Sequence, residues 1–271
     1  MQVMKLNKPP LKPSETGEAN TICPRCKNTG WEMYLKDGYE YSRECPNGCR
    51  SKKIKNNKLQ FADIPKEFES LTVESFETGC YYQSGAREKA EMVKTICRNY
   101  ITEFDRIKEN GKGLYLYSRE KGSGKTRMAV SLANEIINRY MISAKFTTAI
   151  RILDEIKSTW SGNRDSESRS LSEMQLLTEI KQVPVLVIDD IGVEKSSSWV
   201  DEKFYSILDS RLISKKITIF TSNVKIEDLK LDERIRSRIG KMALPVPFPD
   251  ESVRSSLARK ENNDFLKMLI G

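Results

Sequence analysis

The fold is decided by Gly122-Ser123-Gly124-Lys125-Thr126, a glycine-rich stretch with a lysine and a threonine at its end. It follows the short apolar run Leu114 to Tyr117, which predicts a strand, and it opens the segment Thr126 to Tyr140, whose periodicity predicts a helix. Glycines let backbone N–H groups curl around phosphate oxygens, and the following helix presents its positive N-terminal end to the same anion. The stretch therefore predicts a P-loop.

Each residue of the predicted P-loop has an expected task. Gly122, Ser123 and Gly124 would offer backbone N–H groups to a nucleotide. Lys125 would reach the β- and γ-phosphates, and the Thr126 hydroxyl would bind Mg²⁺. The alternative, a glycine-rich turn with an incidental lysine, is disfavoured by the strand before it and the amphipathic helix after it.

One position departs from the usual P-loop pattern, which begins with a glycine five residues before the last one. Arg119 occupies that position. We expect the loop to hold its first residue in a conformation that arginine tolerates.

Two further strand ends supply polar side chains. The apolar run Val185 to Ile188 leads into Asp189 and Asp190, as in a buried central strand whose carboxyl end faces the nucleotide. Asp189 would hold Mg²⁺ through water, and Asp190 would polarise the attacking water. Asn223 follows the strand Ile217 to Thr221, and it could orient that water or contact the γ-phosphate. A surface Asp-Asp turn is the alternative for the acidic pair.

A basic segment follows, with three arginines in Leu231-Asp-Glu-Arg234-Ile-Arg236-Ser-Arg238-Ile. Arginine stabilises charge on a transferring phosphoryl group, and a neighbouring subunit can supply it. The alternative is an ordinary basic helix face.

Strands alternate with helices from about Phe76 onward, which predicts a parallel, doubly wound sheet. The N-terminal third is different in composition. We expect a disordered tail over residues 1–20, a metal-binding module over 21–50, a basic linker over 51–75 and the ATPase domain with a short C-terminal lid over 76–271. Within the last domain, one helix is expected from Ala86 to Lys108 and a polar loop from Ser161 to Ser170.

Four cysteines form two short pairs, Cys23-Pro-Arg-Cys26 and Cys45-Pro-Asn-Gly-Cys49. Each pair lets two thiolates bind one ion, and four thiolates complete a closed tetrahedral Zn²⁺ site with a structural role. The aromatic residues between the pairs predict a small hairpin that packs over the metal. Two disulfides are the alternative, which a cytosolic location disfavours.

Composition excludes some classes of protein. The 271 residues carry a formal charge of +8, and residues 1–60 contribute 12 basic and 6 acidic side chains, or +6 of that total. Such a segment could contact nucleic acid or an acidic partner, or simply be solvated. The chain has no histidine, so a metal site must use cysteine or carboxylate. No apolar run is long enough for a bilayer and no signal peptide is visible, so we expect a cytoplasmic protein with no membrane partner.

The P-loop, the acidic pair, the strand that ends before Asn223 and the arginine segment follow one another as in AAA+ ATPases. They most closely resemble the helicase loaders of the DnaC/DnaI type from bacteria and phages, with IstB-like transposition ATPases as relatives. The segment Ala62-Asp-Ile-Pro-Lys-Glu-Phe68, leading to Val73-Glu-Ser-Phe76, is similar to the one that precedes the ATPase domain in that family. So is the acidic pair followed by Ile191-Gly192. The resemblance covers roughly residues 60–260.

The resemblance implies an α/β fold, in which an AAA+ P-loop parallel sheet is flanked by helices and preceded by a small zinc-binding domain. It also implies roles for individual residues. These are Lys125 and Thr126 as Walker A, Asp189 and Asp190 as Walker B, Asn223 as sensor 1, Arg234 as the best match and Arg238 as the second for the arginine finger, and Arg254, in Asp250-Glu-Ser-Val-Arg254, as the sensor 2 arginine of the lid.

The function implied is ATP-dependent loading of the replicative DnaB-type helicase onto DNA during replication initiation, by a homo-oligomer that uses ATP, Mg²⁺ and Zn²⁺. Single-stranded DNA would contact the helix near Arg151 to Trp160. In that family the N-terminal zinc domain is associated with gripping the helicase; a nucleic-acid-binding zinc ribbon is the competing role. The alternatives for the whole chain are an IstB-like ATP-dependent DNA-binding protein that assists transposition and a scaffold that binds nucleotide without hydrolysing it.

Overall fold

The structure is a computed structural model that describes residues 22–159, 166–193, 197–254, 262 and 265–270. The predicted tail 1–20 and Trp160 lie outside the described residues, as do most of the lid residues after Arg254. The chain divides into two compact units, Met1–Ile54 and Lys55–Gly271.

The first unit contains an antiparallel hairpin of strands β1 (Trp31–Lys36) and β2 (Tyr39–Glu44). Asp37 and Gly38 connect them, and both have positive φ angles, 51° and 79°. An Asp-Gly pair in this conformation makes the tight turn whose twist matches that of a hairpin. The hairpin predicted from the aromatic residues between the cysteine pairs is therefore confirmed.

The second unit contains one five-stranded sheet with helices packed against it. Its helices and strands follow one another along the chain. They are α1 (Cys49–Phe61, which begins in the first unit), α2 (Ala86–Thr102), α3 (Phe104–Asn110), β3 (Gly113–Tyr117), α4 (Lys125–Tyr140), β4 (Ala144–Thr148), α5 (Ala149–Ser158), α6 (Ser166–Gln182), β5 (Val185–Asp189), α7 (Ser198–Ile213), β6 (Ile217–Ser222), α8 (Glu233–Met242) and β7 (Ala243–Pro247).

The strand order of the sheet is β4-β5-β6-β3-β7, and every pairing is parallel. The central strands β5 and β6 are buried along their whole length, because helices cover both faces. The predicted parallel sheet is confirmed. Its order places β3, β6 and β5 side by side, so the residues that follow these three strands meet at one edge.

Some boundaries differ from those expected. The run interpreted as a basic linker is helical as far as Phe61, and Ala62 and Val73 are buried in the core of the second unit. The single helix expected from Ala86 to Lys108 is two helices, because the chain turns at Glu103 and buries Phe104 against Tyr140, with ring centroids 4.9 Å apart.

The expected loop from Ser161 to Ser170 ends early, since α6 begins at Ser166. In the described part of the chain, each helix is too short or too polar to cross a membrane.

Arg211 of α7 is fully buried, and the oxygens that accept its hydrogen bonds are uncharged. Its guanidinium donates to the carbonyl oxygens of Ile180, Val183 and Ile217 at 2.6–2.8 Å and to Thr218 Oγ1 at 2.9 Å. Burial lowers the pKa of Arg211 to about 9. The side chain thus ties the end of α6 to the starts of β5 and β6.

Candidate functional site

Two glycines in the left-handed region curl the loop between β3 and α4. The φ angle is 78° at Gly122 and 89° at Gly124. A Cβ atom added to Gly122 would lie 2.8 Å from Ser252 Oγ, and one added to Gly124 would lie 2.9 Å from the Phe76 ring. Both positions therefore require glycine, for its conformation and for the lack of space. The positive φ angles in this loop fall on the glycines and not on Arg119, so the first position accepts arginine without strain.

Residues 249–254, which follow β7 and are called the C-terminal strap here, hold the phosphate loop from one side. Asp250 Oδ1 accepts the Arg119 N–H and lies within 3.0 Å of the Ser118 hydroxyl. The Val253 N–H donates to the Gly122 carbonyl oxygen at 3.1 Å. The strap therefore fixes both the beginning and the middle of the loop.

The same strap holds the segment before α2. The nearly buried Glu251 carboxylate accepts the N–H groups of Tyr82 and Gln83, each at 3.0 Å. In that segment, the Tyr81 hydroxyl donates to the Ser123 carbonyl oxygen at 2.8 Å. The P-loop is thus enclosed by two segments; the sequence predicted a role there for Arg254 of the strap, but not for the segment before α2.

Lys125 lies inside the curl of the loop with 5% of its surface exposed. Its Nζ donates to the Glu120 carbonyl oxygen at 2.9 Å and to Ser123 Oγ at 3.2 Å. Burial lowers the pKa of Lys125, and the carboxylates of Asp190 and Asp189 oppose that shift. Phosphate oxygens are stronger acceptors for an ammonium group than these neutral oxygens, so the lysine is suited to exchange them for a nucleotide.

The acidic pair lies at the end of β5, where Thr221 of β6 holds both of its members. The Thr221 hydroxyl donates to Asp189 Oδ1 at 2.6 Å and accepts the Asp190 N–H at 2.9 Å. Burial raises the pKa of Asp189, and hydrogen bonds from Thr221 and Thr126 oppose the rise. The effects of Thr126 and Lys125 on the pKa of Asp189 place the acidic pair next to the P-loop.

Asp190 and Asn223 lie at the same edge of the sheet. Asp190 has a φ of 54°, a left-handed conformation that turns the chain sharply after the strand. Asn223 follows β6, whose Ser222 pairs with Tyr117 at the end of β3, and its side chain is half-buried. The role of Thr221 was not predicted from the sequence, although a threonine near the carboxyl end of a buried strand is a usable signal.

The two predicted arginine-finger candidates differ in how they are held. Arg234 is 68% exposed, pairs with Asp232 at 3.0 Å and lies over the Tyr205 ring. Arg238 is 21% exposed, pairs with Asp209 at 2.7 Å and donates to the Tyr205 hydroxyl at 2.6 Å. Their described contacts are with α7 and the start of α8, whereas the phosphate loop lies at the end of β3.

Arg254 lies beside the P-loop, whereas Arg151 forms ion pairs within its own part of the chain. A Cβ atom at Gly122 would lie 2.9 Å from Arg254 Cβ, and the positive charge of Arg254 contributes to the lowered pKa of Lys125. Arg151, expected to contact DNA, pairs with Asp63 at 2.5 Å and with Glu155 at 2.8 Å.

The four cysteines of the first unit converge. Their sulfur atoms all lie within 4.8 Å of one another, and all four are free thiols rather than disulfides. The Sγ atoms of Cys23 and Cys45 are 3.8 Å apart, and a tetrahedral zinc with Zn–S bonds of about 2.3 Å would separate its sulfurs by about 3.8 Å. Hydrogen bonds from the backbone of Cys26 and Arg25 and from Asn47 lower the pKa of Cys23 to about 6. The donor set fits Zn²⁺.

Comparison with known proteins places this geometry in a family. The sequence model of the family described as IstB-like ATP binding protein matches residues 50–254. The chain belongs to this family. The IstB-like match covers the P-loop, the acidic pair and the C-terminal strap.

Curated relatives of this IstB-like chain include helicase loaders. It is 30% identical over 197 residues to the replicative helicase loader DnaC of Escherichia coli (strain K12), which covers 71% of this chain and 73% of that protein. It is 25% identical over 237 residues to the phage-like element PBSX protein XkdC of Bacillus subtilis (strain 168), with 85% and 83% covered. Among solved structures, that of DnaI superimposes with a TM-score of 0.53 at 26% identity, covering 68% of this chain and 94% of that one.

Proposed function

We propose that this chain hydrolyses ATP and uses the hydrolysis cycle to load a replicative DnaB-type helicase onto DNA. The observation that carries the ATPase proposal is the buried Lys125 beside the carboxylates of Asp189 and Asp190, of which Thr221 holds Asp189 by a hydrogen bond. The similarity to the replicative helicase loader DnaC supports the coupling to helicase loading. A protein that loads a helicase onto DNA would act in the cytoplasm.

The residues of the site suit ATP and Mg²⁺. The loop N–H groups and Lys125 would bind phosphate oxygens, and the Thr126 hydroxyl and the Asp189 carboxylate provide the oxygen ligands that Mg²⁺ prefers. The bound ion would neutralise charge on the phosphates. Asp190 would accept a proton from the attacking water, and Asn223 would orient that water by hydrogen bonding.

The site is proposed to be completed by a neighbouring copy in a homo-oligomer. Arg234 is the better candidate for the arginine supplied in trans, because its side chain is largely exposed and its carboxylate partner is its near neighbour Asp232. An exposed ion pair of this kind contributes little stability, so Arg234 can exchange Asp232 for a phosphate at small cost. Arg238 is held by a half-buried carboxylate and a tyrosine hydroxyl.

The cysteine cluster is proposed to hold one structural Zn²⁺. Four sulfur ligands leave no open coordination position, so the ion would stabilise the small first unit rather than take part in ATP hydrolysis.

The alternative function is that of an ATP-dependent DNA-binding protein that assists transposition. Membership of the IstB-like family supports this alternative. The two functions share the ATPase and differ in the partner. A loader forms a complex with a hexameric helicase, whereas a transposition regulator coats duplex DNA in the presence of ATP.

The test is co-elution with the purified replicative helicase of the host, with and without ATP. We expect an ATP-dependent complex that Lys125→Ala abolishes, while Lys108→Ala, which removes an exposed lysine on α3, leaves it intact. Asp190→Asn should keep ATP binding and block turnover. If no complex forms and the chain instead coats duplex DNA with ATP, the loader proposal is wrong.

A further inference from the structure

The hairpin of the first unit has two faces of different chemistry. Side chains alternate along each strand, and the register pairs Glu32 with Arg43, Tyr34 with Tyr41 and Lys36 with Tyr39 on one face. We call this the tyrosine face. The opposite face carries Trp31, Met33, Leu35, Glu40, Ser42 and Glu44.

The tyrosines of the tyrosine face are open to solvent. Tyr34, Tyr41 and Tyr39 are 36%, 44% and 70% exposed. The rings of Tyr34 and Tyr41 stack with centroids 5.8 Å apart and planes inclined by 26°, and the Arg43 guanidinium lies 5.1 Å from the Tyr34 centroid. Aromatic rings are normally used to fill a core, so a preformed exposed stack suggests a ligand with a flat surface of its own.

Positive charge is concentrated around these rings. Arg43 donates to Glu32 at 2.8 Å, and Arg25 lies 3.8 Å from the same carboxylate. Lys36 lies further along the same face, so three cationic side chains accompany one acidic side chain there. The opposite face combines Met33 and Leu35 with the acids Glu40 and Glu44, and the Arg50 guanidinium there lies over the Trp31 ring and pairs with Glu44.

We propose that the tyrosine face binds single-stranded DNA. Bases would stack on Tyr34, Tyr39 and Tyr41, and the backbone phosphates would contact Lys36 and Arg43. Stacking on aromatic side chains needs bases that are not already stacked in a duplex, and cationic side chains neutralise the phosphates between them. The opposite face carries the carboxylates of Glu40 and Glu44, which would repel a phosphate backbone, so the bases and phosphates of one strand suit only the tyrosine face.

This inference rests on the proposed function for its biological role, since a loader must meet DNA that its helicase will encircle. The binding itself needs neither ATP nor helicase. A chain that binds DNA through the tyrosine face and forms no helicase complex would contradict only the loader proposal. A chain that forms the complex and binds DNA without the tyrosines would contradict only this one.

The test is fluorescence anisotropy of the full-length chain with a labelled thymidine oligonucleotide, without nucleotide. We expect Tyr34→Ala and Tyr41→Ala each to weaken binding roughly tenfold, Tyr34→Phe to retain it, and Leu35→Ala on the opposite face to change nothing. A duplex of equal length should compete poorly. Lys36→Gln should reduce the slope of log affinity against log salt by about 0.7.

A second measurement keeps the test independent of folding. Photo-crosslinking of the unmodified chain to an oligonucleotide with 5-iodouracil should label a peptide that contains Tyr34, Tyr39 or Tyr41. Crosslinks confined to the other unit would overturn the proposal. So would alanine variants with normal DNA affinity, or variants that keep DNA affinity and lose only the helicase complex, which would assign the tyrosine face to a protein partner.

Discussion

The hydroxyl of Thr221, on β6, holds Asp189 and Asp190 at the end of the neighbouring strand β5. It donates to Asp189 and accepts the backbone N–H of Asp190, so it sets the position of one carboxylate and the turn that carries the other. Thr221→Val keeps the shape of the side chain and removes both hydrogen bonds. A hydrogen bond to a charged group contributes about 1.5–3 kcal/mol, so we expect ATP turnover to fall at least about tenfold.

The comparison variant for this prediction is Thr221→Ser, which keeps the hydroxyl and should retain most of the activity. Steady-state ATPase assays measure the effect, and thermal unfolding of both variants checks that the fold is unchanged. Normal turnover in Thr221→Val would show that the hydroxyl does not position the acidic pair.

Arg211 is the second residue whose importance lies in buried hydrogen bonds. Arg211→Met has a similar length and removes every donor to the carbonyl oxygens of Ile180, Val183 and Ile217. Leaving buried acceptors unsatisfied costs about 1–3 kcal/mol each, so the free energy of unfolding in urea should fall by about 3 kcal/mol or more. Arg106→Met, at an 87% exposed side chain, should change it by less than about 0.5 kcal/mol. Equal stability of the two variants would contradict this account.

The roles of Thr221 and Arg211 could not be predicted from the sequence. Lys125, Thr126 and the acidic pair were predictable because their chemistry follows from residues that are adjacent in sequence. Thr221 and Arg211 act on residues about 30 positions away, at separations that no local pattern reveals.

Among the elements, the C-terminal strap has the contacts to act on the phosphate loop without containing a P-loop residue. Glu251 holds Tyr82 and Gln83 by their N–H groups, and that segment places the Tyr81 hydroxyl on the Ser123 carbonyl oxygen. Glu251→Ala would leave two N–H groups without their charged acceptor. We therefore expect the KM for ATP to rise about tenfold with a smaller change in kcat.

Glu227→Ala is the matched control for the strap, because this glutamate is exposed in the loop between β6 and α8. Initial-rate kinetics over a range of ATP concentrations separate KM from kcat. A fall in kcat at unchanged KM would mean that the strap acts on the hydrolysis step and not on nucleotide binding.

The elements themselves were largely predictable. The strands β3 and β5 agree to within one residue with the apolar runs Leu114 to Tyr117 and Val185 to Ile188, because short buried strands between polar turns leave a clear pattern. The break at Glu103 and the helical course of residues 51–61 were not visible. Both depend on packing against distant parts of the chain, as the contact of Phe104 with Tyr140 shows. The strap lies up to 169 positions from its partners, which explains why its contacts with Tyr82 and Gln83 were not predicted although Arg254 was assigned to the site.

At the scale of the molecule, the cysteine cluster and the P-loop belong to different compact units, so we expect the proposed metal and the nucleotide to bind independently. Cys23→Ser should remove zinc from the purified chain, measured by mass spectrometry, and should leave ATP affinity within about twofold, since the P-loop belongs to the other unit. Cys80→Ser, outside the cluster, should keep the metal. Stoichiometric zinc in Cys23→Ser would refute the ligand set, and lost ATP affinity would show that the two units depend on each other.

The proposal that a neighbouring copy completes the site can be tested by mixing two inactive variants. Lys125→Ala lacks a phosphate ligand, and Arg234→Ala lacks the arginine proposed to act on a neighbour. If Arg234 acts in trans, mixed assemblies contain interfaces with an intact P-loop on one copy and an intact arginine on the next. ATPase activity should then reappear, up to roughly a quarter of the wild-type rate for random mixing at equal concentrations.

Arg238→Ala serves as the contrasting variant in the same experiment. Its side chain is held by Asp209 and Tyr205 within one copy, so its loss should lower the melting temperature in every mixture. Mixing it with Lys125→Ala should restore no activity beyond what Arg238→Ala shows alone. If that mixture recovers turnover and the Arg234→Ala mixture does not, the arginine supplied across the interface is Arg238, because only a residue acting on the neighbouring P-loop can be complemented by an intact copy.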